Sequence, residues 1–288
     1  MKTSILKQIK NISYEDAIND FIRLQNIDLY KTSPLSLIGL NFIDYFFFEE
    51  RLNTIGKKGI SFYTFLENFN DYIKKPYVKK IFDFEYNRSQ NIYKSIKRTF
   101  QLCYGSINAF RPIVAMDIYE KYKPKSILNL CSGWGGFIVG ACALNISEIT
   151  AIDNNKNLLK PYKNMIKTLK QLSSTKITFI NKNVLDVNLT KKYDMIISSP
   201  PYYNTEIYGN VKPYKTKKEW EELFYKPMFQ KFWKNLDLNG NMVINVPKEI
   251  YEKCLVPLFG ESKDKILLPK YKRNNKYEEF IYVYEKLI

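Results

Sequence analysis

Apolar and polar residues follow two different patterns along the chain. Over roughly the first hundred residues the apolar positions recur at helical spacing. Further on, short apolar runs alternate with helical stretches, which is typical of a parallel sheet covered by helices. The chain is therefore predicted to have a helical N-terminal region, residues 1–104, followed by an α/β domain, residues 105–288.

Two segments of the helical region carry start signals. Ser13 is followed by Asp16 three places on, which predicts a capping box at the start of a helix. Ser33 and Pro34 precede the run LSLIGLNFIDYFFFEERL, which predicts a second helix that begins near Leu35.

Seven strands and three long helices are predicted in the second part. The strands are expected at residues 126–130, 149–153, 177–181, 193–198, 241–246, near 266, and at 280–284. The helices are expected at residues 134–146, 155–172 and 217–235. This alternation predicts a Rossmann-like α/β fold, with a seven-stranded, mostly parallel sheet and helices on both faces.

Composition narrows the classes of function. The 288 residues carry a formal net charge of +16, which favours a polyanionic partner. Histidine is absent, which excludes imidazole bases and His-ligated zinc, and no metal site is expected. The four cysteines lack CxxC spacing, and we find neither a signal peptide nor an apolar span, so a reducing intracellular compartment and no membrane association are expected.

A cluster of glycines follows the strand predicted at 126–130. Gly133, Gly135, Gly136 and Gly140 allow a ligand to approach the main chain and the start of a helix. Asp153 ends the next strand about 20 residues on, where an acidic side chain is expected to accept ribose hydroxyls. Such a loop fits a nicotinamide, flavin or S-adenosylmethionine ligand, or simple packing of a tight turn.

A second motif, Ser199-Pro200-Pro201-Tyr202, lies at the carboxyl end of the strand predicted at 193–198. Two prolines cannot continue a central strand, so the chain must leave the sheet there in a rigid turn. The Ser199 side chain and the Pro200 carbonyl could accept hydrogen bonds from an amino group, and Tyr202 offers a face to a planar base. The pattern predicts a pocket for an amine on a ring.

The two motifs, in this order, resemble those of the S-adenosylmethionine-dependent amino-methyltransferases of DNA, whose catalytic motif is [DNS]-P-P-[YFW]. The resemblance covers roughly residues 105–285, and the string SPPYYNTEIYG is similar to DNA methyltransferases of phages and large DNA viruses. It implies a class I methyltransferase fold, DNA as partner and S-adenosylmethionine as cofactor. It also implies a flipped base whose amine, adenine N6 or cytosine N4, attacks the methyl group in line, and a viral or phage origin.

The resemblance also implies the site residues. The catalytic residues are Ser199, Pro200, Pro201 and Tyr202, and the cofactor-binding residues are Phe110, Asn129, Cys131, Ser132, Gly133, Trp134, Gly135, Asp153, Asn154, Asp186 and Val187. Phe110 is expected over the methionine end of the cofactor and Asp186 near its adenine. Many members have Asp where this chain has Asn129, so a weaker contact to the methionine amine is expected.

Other functions stay open at this point. The first is the same chemistry on RNA, because the motif reads an amine and not a sugar. The second is a catalytically silent, nucleic-acid-binding subunit, and a nicotinamide oxidoreductase is a distant third. Carbon-5 methylation of cytosine is disfavoured because no cysteine follows a proline. The oligomeric state is not predicted.

Nucleic-acid contacts are expected from basic residues interleaved with aromatic ones. The candidates in the helical region are Lys74, Lys75, Lys79, Lys80, Arg88, Lys94, Lys97 and Arg98, with Tyr77, Tyr86 and Tyr93. The basic loop at 270–276 is a further candidate, and the loop at 204–214 is expected to close over the substrate. A solvated lysine face is the alternative interpretation.

Overall fold

The computed structural model describes residues 2–203, 206–207, 214–268 and 278–287. The basic loop predicted at 270–276 lies outside the described residues, as does the loop at 204–214 apart from 206–207 and Tyr214.

The centre of the molecule is a seven-stranded sheet with the order β4-β3-β2-β5-β7-β9-β8. The strands are β1 (Ile55–Gly56), β2 (Ser126–Asn129), β3 (Glu148–Asp153), β4 (Lys176–Asn181), β5 (Tyr193–Ser198), β6 (Glu206–Ile207), β7 (Leu236–Val246), β8 (Asp264–Leu267) and β9 (Phe280–Glu285). Strands β1 and β6 form a separate two-residue antiparallel pair.

The predicted fold class is confirmed. Strands β4, β3, β2, β5 and β7 pair in parallel, and only β9 runs antiparallel to its neighbours β7 and β8. All seven predicted strands are present. Strand β7 begins five residues before the predicted position, because its first half pairs with Tyr193 through an irregular register that shifts before Met195.

Helices cover both faces of the sheet because successive strand side chains point to opposite sides. In β2, Ile127 belongs to a core that includes the helices between residues 112 and 172, and the next residue, Leu128, belongs to the core under the helices between residues 226 and 259. Met195 and Ile196 of β5 divide in the same way. Both side chains of each pair are buried, which explains why the strands are continuous apolar runs.

The helices follow the predicted pattern. They are α1 (Lys2–Ile9), α2 (Tyr14–Gln25), α3 (Leu40–Asn53), α4 (Phe62–Glu67), α5 (Phe69–Tyr72), α6 (Pro76–Ser89), α7 (Ile92–Tyr104), α8 (Pro112–Tyr122), α9 (Gly136–Ala143), α10 (Leu159–Leu172), α11 (Lys217–Trp220), α12 (Lys226–Trp233), α13 (Lys248–Ile250) and α14 (Val256–Phe259). A π-turn, Glu221–Tyr225, joins α11 to α12, and a second, Tyr251–Leu255, joins α13 to α14.

The predicted capping box of Ser13 and Asp16 is confirmed, but the prediction that the next helix begins near Leu35 is wrong. Helix α3 begins at Leu40, after Gly39 in the left-handed conformation at φ +86°. The Asp20 carboxylate on α2 accepts hydrogen bonds from the first free amides of α3, so a distant residue sets the start of this helix.

The helical region packs in two groups. Helices α2 and α3 bury Phe21, Phe42 and Phe47 in the same core as the sheet. Helices α1, α4, α6 and α7 bury their apolar residues in a separate cluster that also includes Phe48 and Leu52 of α3. Helices α2 and α3 thus contribute to the core of the α/β part. The domain boundary between residues 104 and 105 stays a prediction.

Neither a membrane-spanning helix nor a cluster of metal-binding side chains is present in the described parts of the chain. No helix there is both long and apolar enough to cross a bilayer. No group of three or more acidic, cysteine or histidine side chains is placed to hold a metal ion there.

The first turn of α9 provides a test of this packing. A Cβ added at Gly136 would lie 2.1 Å from the Phe110 carbonyl oxygen, which is main chain and cannot move away cheaply. We expect Gly136→Ala to lower the free energy of unfolding by about 1–3 kcal/mol or more in urea titrations. Gly56→Ala is the matched control, because its nearest contact would be an ordinary 3.7 Å to Ile107. Equal stabilities of the two variants would contradict the close packing.

Candidate active site

The candidate site lies at the carboxyl ends of two neighbouring strands, β2 and β5. The strand order reverses between them, which is where open α/β sheets bind ligands. The buried Asn129 side chain donates from Nδ2 to the Ile197 carbonyl oxygen at 3.0 Å, and the Leu130 amide donates to the same oxygen at 3.1 Å. These contacts hold the glycine loop beside the Ser199-Pro200-Pro201-Tyr202 turn.

Asp153 at the end of β3 fixes the glycine loop. Its Oδ2 accepts a hydrogen bond from the Gly133 amide at 2.8 Å, and its Oδ1 accepts one from the Asn155 amide at 2.9 Å. Ser132 contacts β3 as well, through its amide and hydroxyl on the Ile152 carbonyl. Gly133 has φ +52°, and apart from its chain neighbours no described residue has an atom within 4 Å of the position its Cβ would take, so a ligand can approach the main chain there.

The environment of Asp153 raises the pKa of its carboxyl group. Burial raises the pKa of this carboxyl to about 6, although the hydrogen bonds from the Asn155 and Gly133 amides oppose the shift. Each carboxylate oxygen retains a second lone pair after these bonds. The Asp153 carboxylate can therefore hold the loop and still accept a hydrogen bond from a hydroxyl group of a ligand.

Asn129 supplies a second acceptor. Its Oδ1 is buried, and it has no hydrogen-bond partner within the described part of the chain. A buried amide oxygen without a donor is costly, and a ligand amine near the end of β2 would relieve that cost. The orphaned oxygen, the carboxylate of Asp153 and the open space over Gly133 fit a ligand with hydroxyl groups and a cationic amine.

The aromatic residues predicted at the cofactor differ in placement. The Phe110 ring stacks on Phe137 of α9 with 4.2 Å between ring centres, beside the start of the glycine loop helix. The Trp134 ring is buried in the core near Phe47, so this residue has its main chain, and not its ring, to offer a ligand. Gly135 has φ +82° and packs against Met165.

The remaining predicted cofactor residues line the ends of β2, β3 and β4. Burial, together with the charge of Asp153, raises the pKa of the Cys131 thiol to about 12, so it is neutral at physiological pH. Asn154 is half-buried directly after β3. Asp186 is exposed at the end of a 3₁₀ turn, and Val187 after it is buried in the core. No contact between Asp186 and the glycine loop is seen among the described residues.

The Ser199-Pro200-Pro201-Tyr202 turn is held by a polar cluster. The Ser199 hydroxyl lies 3.0 Å from the Tyr202 hydroxyl and 3.2 Å from Oδ1 of Asn245 on β7. The Tyr202 hydroxyl donates to the same Oδ1 at 2.6 Å, and Glu279 lies 3.0 Å from it on the other side. Asn245 is itself oriented by its Nδ2, which donates to the Phe280 carbonyl. The phenol is thereby fixed by two late segments of the chain.

The π-turn before α12 holds the other side of this motif. The buried Tyr225 hydroxyl donates to the Pro201 carbonyl at 2.6 Å and accepts from the Tyr203 amide at 2.8 Å. Tyr203 has φ +50°, the left-handed conformation that closes the turn. Its own hydroxyl donates to Glu221 at 3.0 Å, and the Lys217 ammonium lies 4.9 Å from its ring centre. π-Turns of this kind are frequent at functional sites.

The cluster leaves hydrogen-bond acceptors available at the turn. When Ser199 directs its proton to Asn245, its hydroxyl oxygen retains lone pairs for an incoming donor. The Pro200 carbonyl accepts no hydrogen bond from any residue in the described ranges. The arrangement can therefore bind a group that has two N–H donors.

The supporting residues Asn245, Glu279 and Tyr225 were not predicted from the sequence. Asn245 had a signal, because it is a polar residue in the apolar run of β7 and is 3% exposed. Glu279 lies 77 residues after Tyr202, and only the sheet order brings the two together. Tyr225 had no signal among its many aromatic neighbours.

No family model matches this sequence, and no curated protein matches it either. Among solved structures the chain is similar to TrmN from Thermus thermophilus, with 17% identity over 61% of this chain and a TM-score of 0.42. That match covers 49% of TrmN, about half of its length. NSun6 from Pyrococcus horikoshii with SFG is 20% identical over 64% of this chain and 53% of its own, with a TM-score of 0.45. An rRNA methylase from Streptococcus thermophilus is 15% identical over 63% of this chain and 100% of its own, with a TM-score of 0.42.

The raised pKa of Asp153 predicts a pH-dependent stability. Between about pH 4 and pH 6 the folded protein keeps this proton and the unfolded chain loses it, so raising the pH through this range favours unfolding. Over this pH range the Asp153 carboxyl lowers the free energy of unfolding by on the order of 2–3 kcal/mol, and we expect Asp153→Asn to abolish this part of the pH dependence. Urea unfolding of both proteins from pH 4 to pH 7 measures it. Parallel stability curves for the two proteins would show that Asp153 has an ordinary pKa.

Proposed function

We propose that this protein transfers a methyl group from S-adenosylmethionine to the exocyclic amine of a base in nucleic acid. One observation carries the proposal. The Ser199-Pro200-Pro201-Tyr202 turn and the glycine loop follow the carboxyl ends of two adjacent strands, and the Asn129 side chain joins these ends by donating a hydrogen bond to the Ile197 carbonyl. A site for an amine and a site for a nucleoside-like ligand are then neighbours, which a transfer between them requires.

The acceptors at the turn suit an amine that is conjugated to a ring. Such an amine is a weak nucleophile because its lone pair is delocalised. Hydrogen bonds to the Ser199 hydroxyl and the Pro200 carbonyl favour a pyramidal nitrogen and stabilise the positive charge that develops on it. The Tyr202 hydroxyl contacts Asn245 and Glu279, and in this proposal its ring would stack on the base and offset part of the cost of flipping.

The cofactor would be held by the glycine loop and its neighbours. The Asp153 carboxylate would accept hydrogen bonds from the ribose hydroxyls, and the Asn129 Oδ1 would accept one from the methionine amine. Phe110 would cover the methionine end of the cofactor. Asp186, Asn154 and Val187 are proposed at the adenine side. When bound, S-adenosylmethionine supplies an activated methyl group. Because the Cys131 thiol is neutral, it is not suited to act as a nucleophile, and no covalent intermediate with the protein is proposed.

DNA is the polymer that the sequence resemblance favours, with adenine N6 or cytosine N4 as the target. RNA is the second candidate, because the acceptors at the turn suit an exocyclic amine, and the bases of both polymers carry one.

A stripe on α6 supports a nucleic-acid substrate. Tyr77, Lys80, Phe84 and Arg88 follow one another at helical spacing and share one face of this helix. All four are exposed, with Tyr77 at 53% and Phe84 at 64%. Lys80 and Arg88 form no ion pair with any residue that the structure describes. Free cations beside exposed aromatic rings suit phosphates and unstacked bases.

The reaction is tested by incubating the protein with isotopically labelled S-adenosylmethionine and either unmethylated DNA or unmodified RNA. Nucleosides are then analysed by mass spectrometry. We expect label in N6-methyladenine or N4-methylcytosine. Tyr202→Phe keeps the ring but loses the contacts to Asn245 and Glu279, so we expect kcat/KM to fall about 3- to 10-fold. Tyr202→Ala also loses stacking and should fall further.

The matched control is Tyr30→Phe, which removes a hydroxyl from a side chain that is 90% exposed and should leave the rate unchanged. Pro201→Ala tests the rigid turn and should also lower the rate. Label in RNA alone would select the second candidate. No label in either polymer, with no binding of S-adenosylmethionine, would refute the proposal and leave a silent nucleic-acid-binding subunit.

The α6 stripe gives a separate prediction about affinity. We expect Phe84→Ala to weaken binding of a fluorescent single-stranded oligonucleotide about fivefold or more, because stacking on the ring is lost. We expect Lys80→Ala to lower the slope of log affinity against log salt by about one. Anisotropy titrations measure both. Leu238→Ala, at an exposed residue of β7 that takes no part in the candidate site, is the control, and an equal effect there would contradict a specific stripe.

A further inference from the structure

A second polar feature lies between α3, α7 and the segment that joins α7 to α8. Arg51 donates from Nε and Nη2 to the Ile107 carbonyl at 3.2 and 2.8 Å, and its Nη1 contacts Asp44. Lys10 reaches the other oxygen of Asp44 at 2.6 Å. The Asp44 carboxylate is therefore already shared by two cations.

Lys97 on α7 adds another cation at this place. Its ammonium lies 5.2 Å from the centre of the Phe48 ring. In the described ranges it has neither an ion pair nor a hydrogen-bond acceptor. A half-buried ammonium without a counter-charge is unfavourable, and folded proteins rarely keep one without a reason.

The charges around Lys97 are unbalanced. Burial, together with the positive charges of Arg51, Lys10 and Arg98, lowers the pKa of Lys97 to about 8, and the Asp44 carboxylate acts in the opposite direction. Three cations face this ammonium and one carboxylate faces it, so the local charge favours an added anion.

A cavity of about 40 Å³ opens beside this ammonium. The cavity has room for about three waters, and its mouth is partly open, so a tetrahedral oxyanion can enter with some of its oxygens left in solvent. Besides Lys97 and Arg51, the polar lining consists of Gln101, Ser106 and Asp44, whose carboxylate already binds Arg51 and Lys10. The side chains of Gln101 and Ser106 are not hydrogen-bonded to a described residue. Four groups that can donate hydrogen bonds thus surround one small space.

We propose that this cavity binds a phosphate group, with Lys97 as its counter-charge and Gln101 and Ser106 as hydrogen-bond donors. The phosphate belongs either to the backbone of a nucleic acid or to a small free phosphate. The proposal goes beyond methyl transfer and does not need it, because binding is measured without S-adenosylmethionine.

The test compares Lys97→Gln with Lys170→Gln, which removes the same charge from an exposed position on α10 that is not among the candidate nucleic-acid contacts. Inorganic phosphate is titrated into each protein by calorimetry at low salt, and a single-stranded oligonucleotide by fluorescence anisotropy. Lys97→Gln should weaken binding of at least one of the two ligands tenfold or more. Lys97→Arg should restore part of the affinity, and Lys170→Gln should bind both ligands as the wild type does.

A stability measurement separates a ligand site from a structural lysine. An unpaired, half-buried ammonium does not help the fold, so Lys97→Gln should unfold at the same urea concentration as the wild type or at a higher one. A large loss of stability would instead give Lys97 a structural role and overturn the proposal.

The two titrations also identify the source of the phosphate. Loss of oligonucleotide affinity, with a salt slope smaller by about one than that of Lys170→Gln, assigns the site to a nucleic-acid backbone. Loss of inorganic phosphate binding alone assigns it to a small free phosphate. If Lys97→Gln and Lys170→Gln behave alike toward both ligands, the cavity is not a phosphate site, whatever the outcome of the methyl-transfer assay.

Discussion

The pairing of β2 with β5 is the constraint on which the candidate site depends. The chain makes β3 and β4 on one side of β2 before it returns to make β5 on the other, so two loops that are about 65 residues apart emerge side by side. The buried Asn129 amide closes this arrangement on the Ile197 carbonyl. An aspartate at that position could not donate this hydrogen bond, which gives a physical reason for asparagine here.

The second half of the sheet supports the turn that the first half positions. Asn245 on β7 and Glu279 just before β9 meet at the Tyr202 hydroxyl, and the π-turn brings Tyr225 to the Pro201 carbonyl. A proline-rich turn at a strand end would otherwise have few main-chain donors with which to anchor itself. The side chains of Asn245, Glu279 and Tyr225 supply the missing contacts. These hydrogen bonds hold the turn in addition to the rigidity of its two prolines.

Much of the fold could be predicted from the sequence because strands such as β2, β5 and β9 are buried on both faces and form continuous apolar runs. The edge strands β4 and β8 are less buried, and they were predicted from shorter apolar runs. The start of α3 could not be predicted, because serines at 33 and 36 form local turns and the deciding cap, Asp20, belongs to another helix. The two site motifs could be recognised because each is contiguous. Their supporting residues could not, since Glu279 gains its role only from the antiparallel return of β9.

The N-terminal helices are connected to the site through a short path. Arg51 of α3 binds the Ile107 carbonyl, and three residues later the Phe110 carbonyl packs against Gly136 at the start of α9. Phe47 of the same helix contacts Trp134 and Tyr162, and the Tyr162 hydroxyl donates to the Gly133 carbonyl. Helix α3 is thus in contact with the glycine loop from two directions. The cavity proposed to bind phosphate therefore adjoins the same segment that carries Phe110, and a short chain of contacts joins it to the glycine loop.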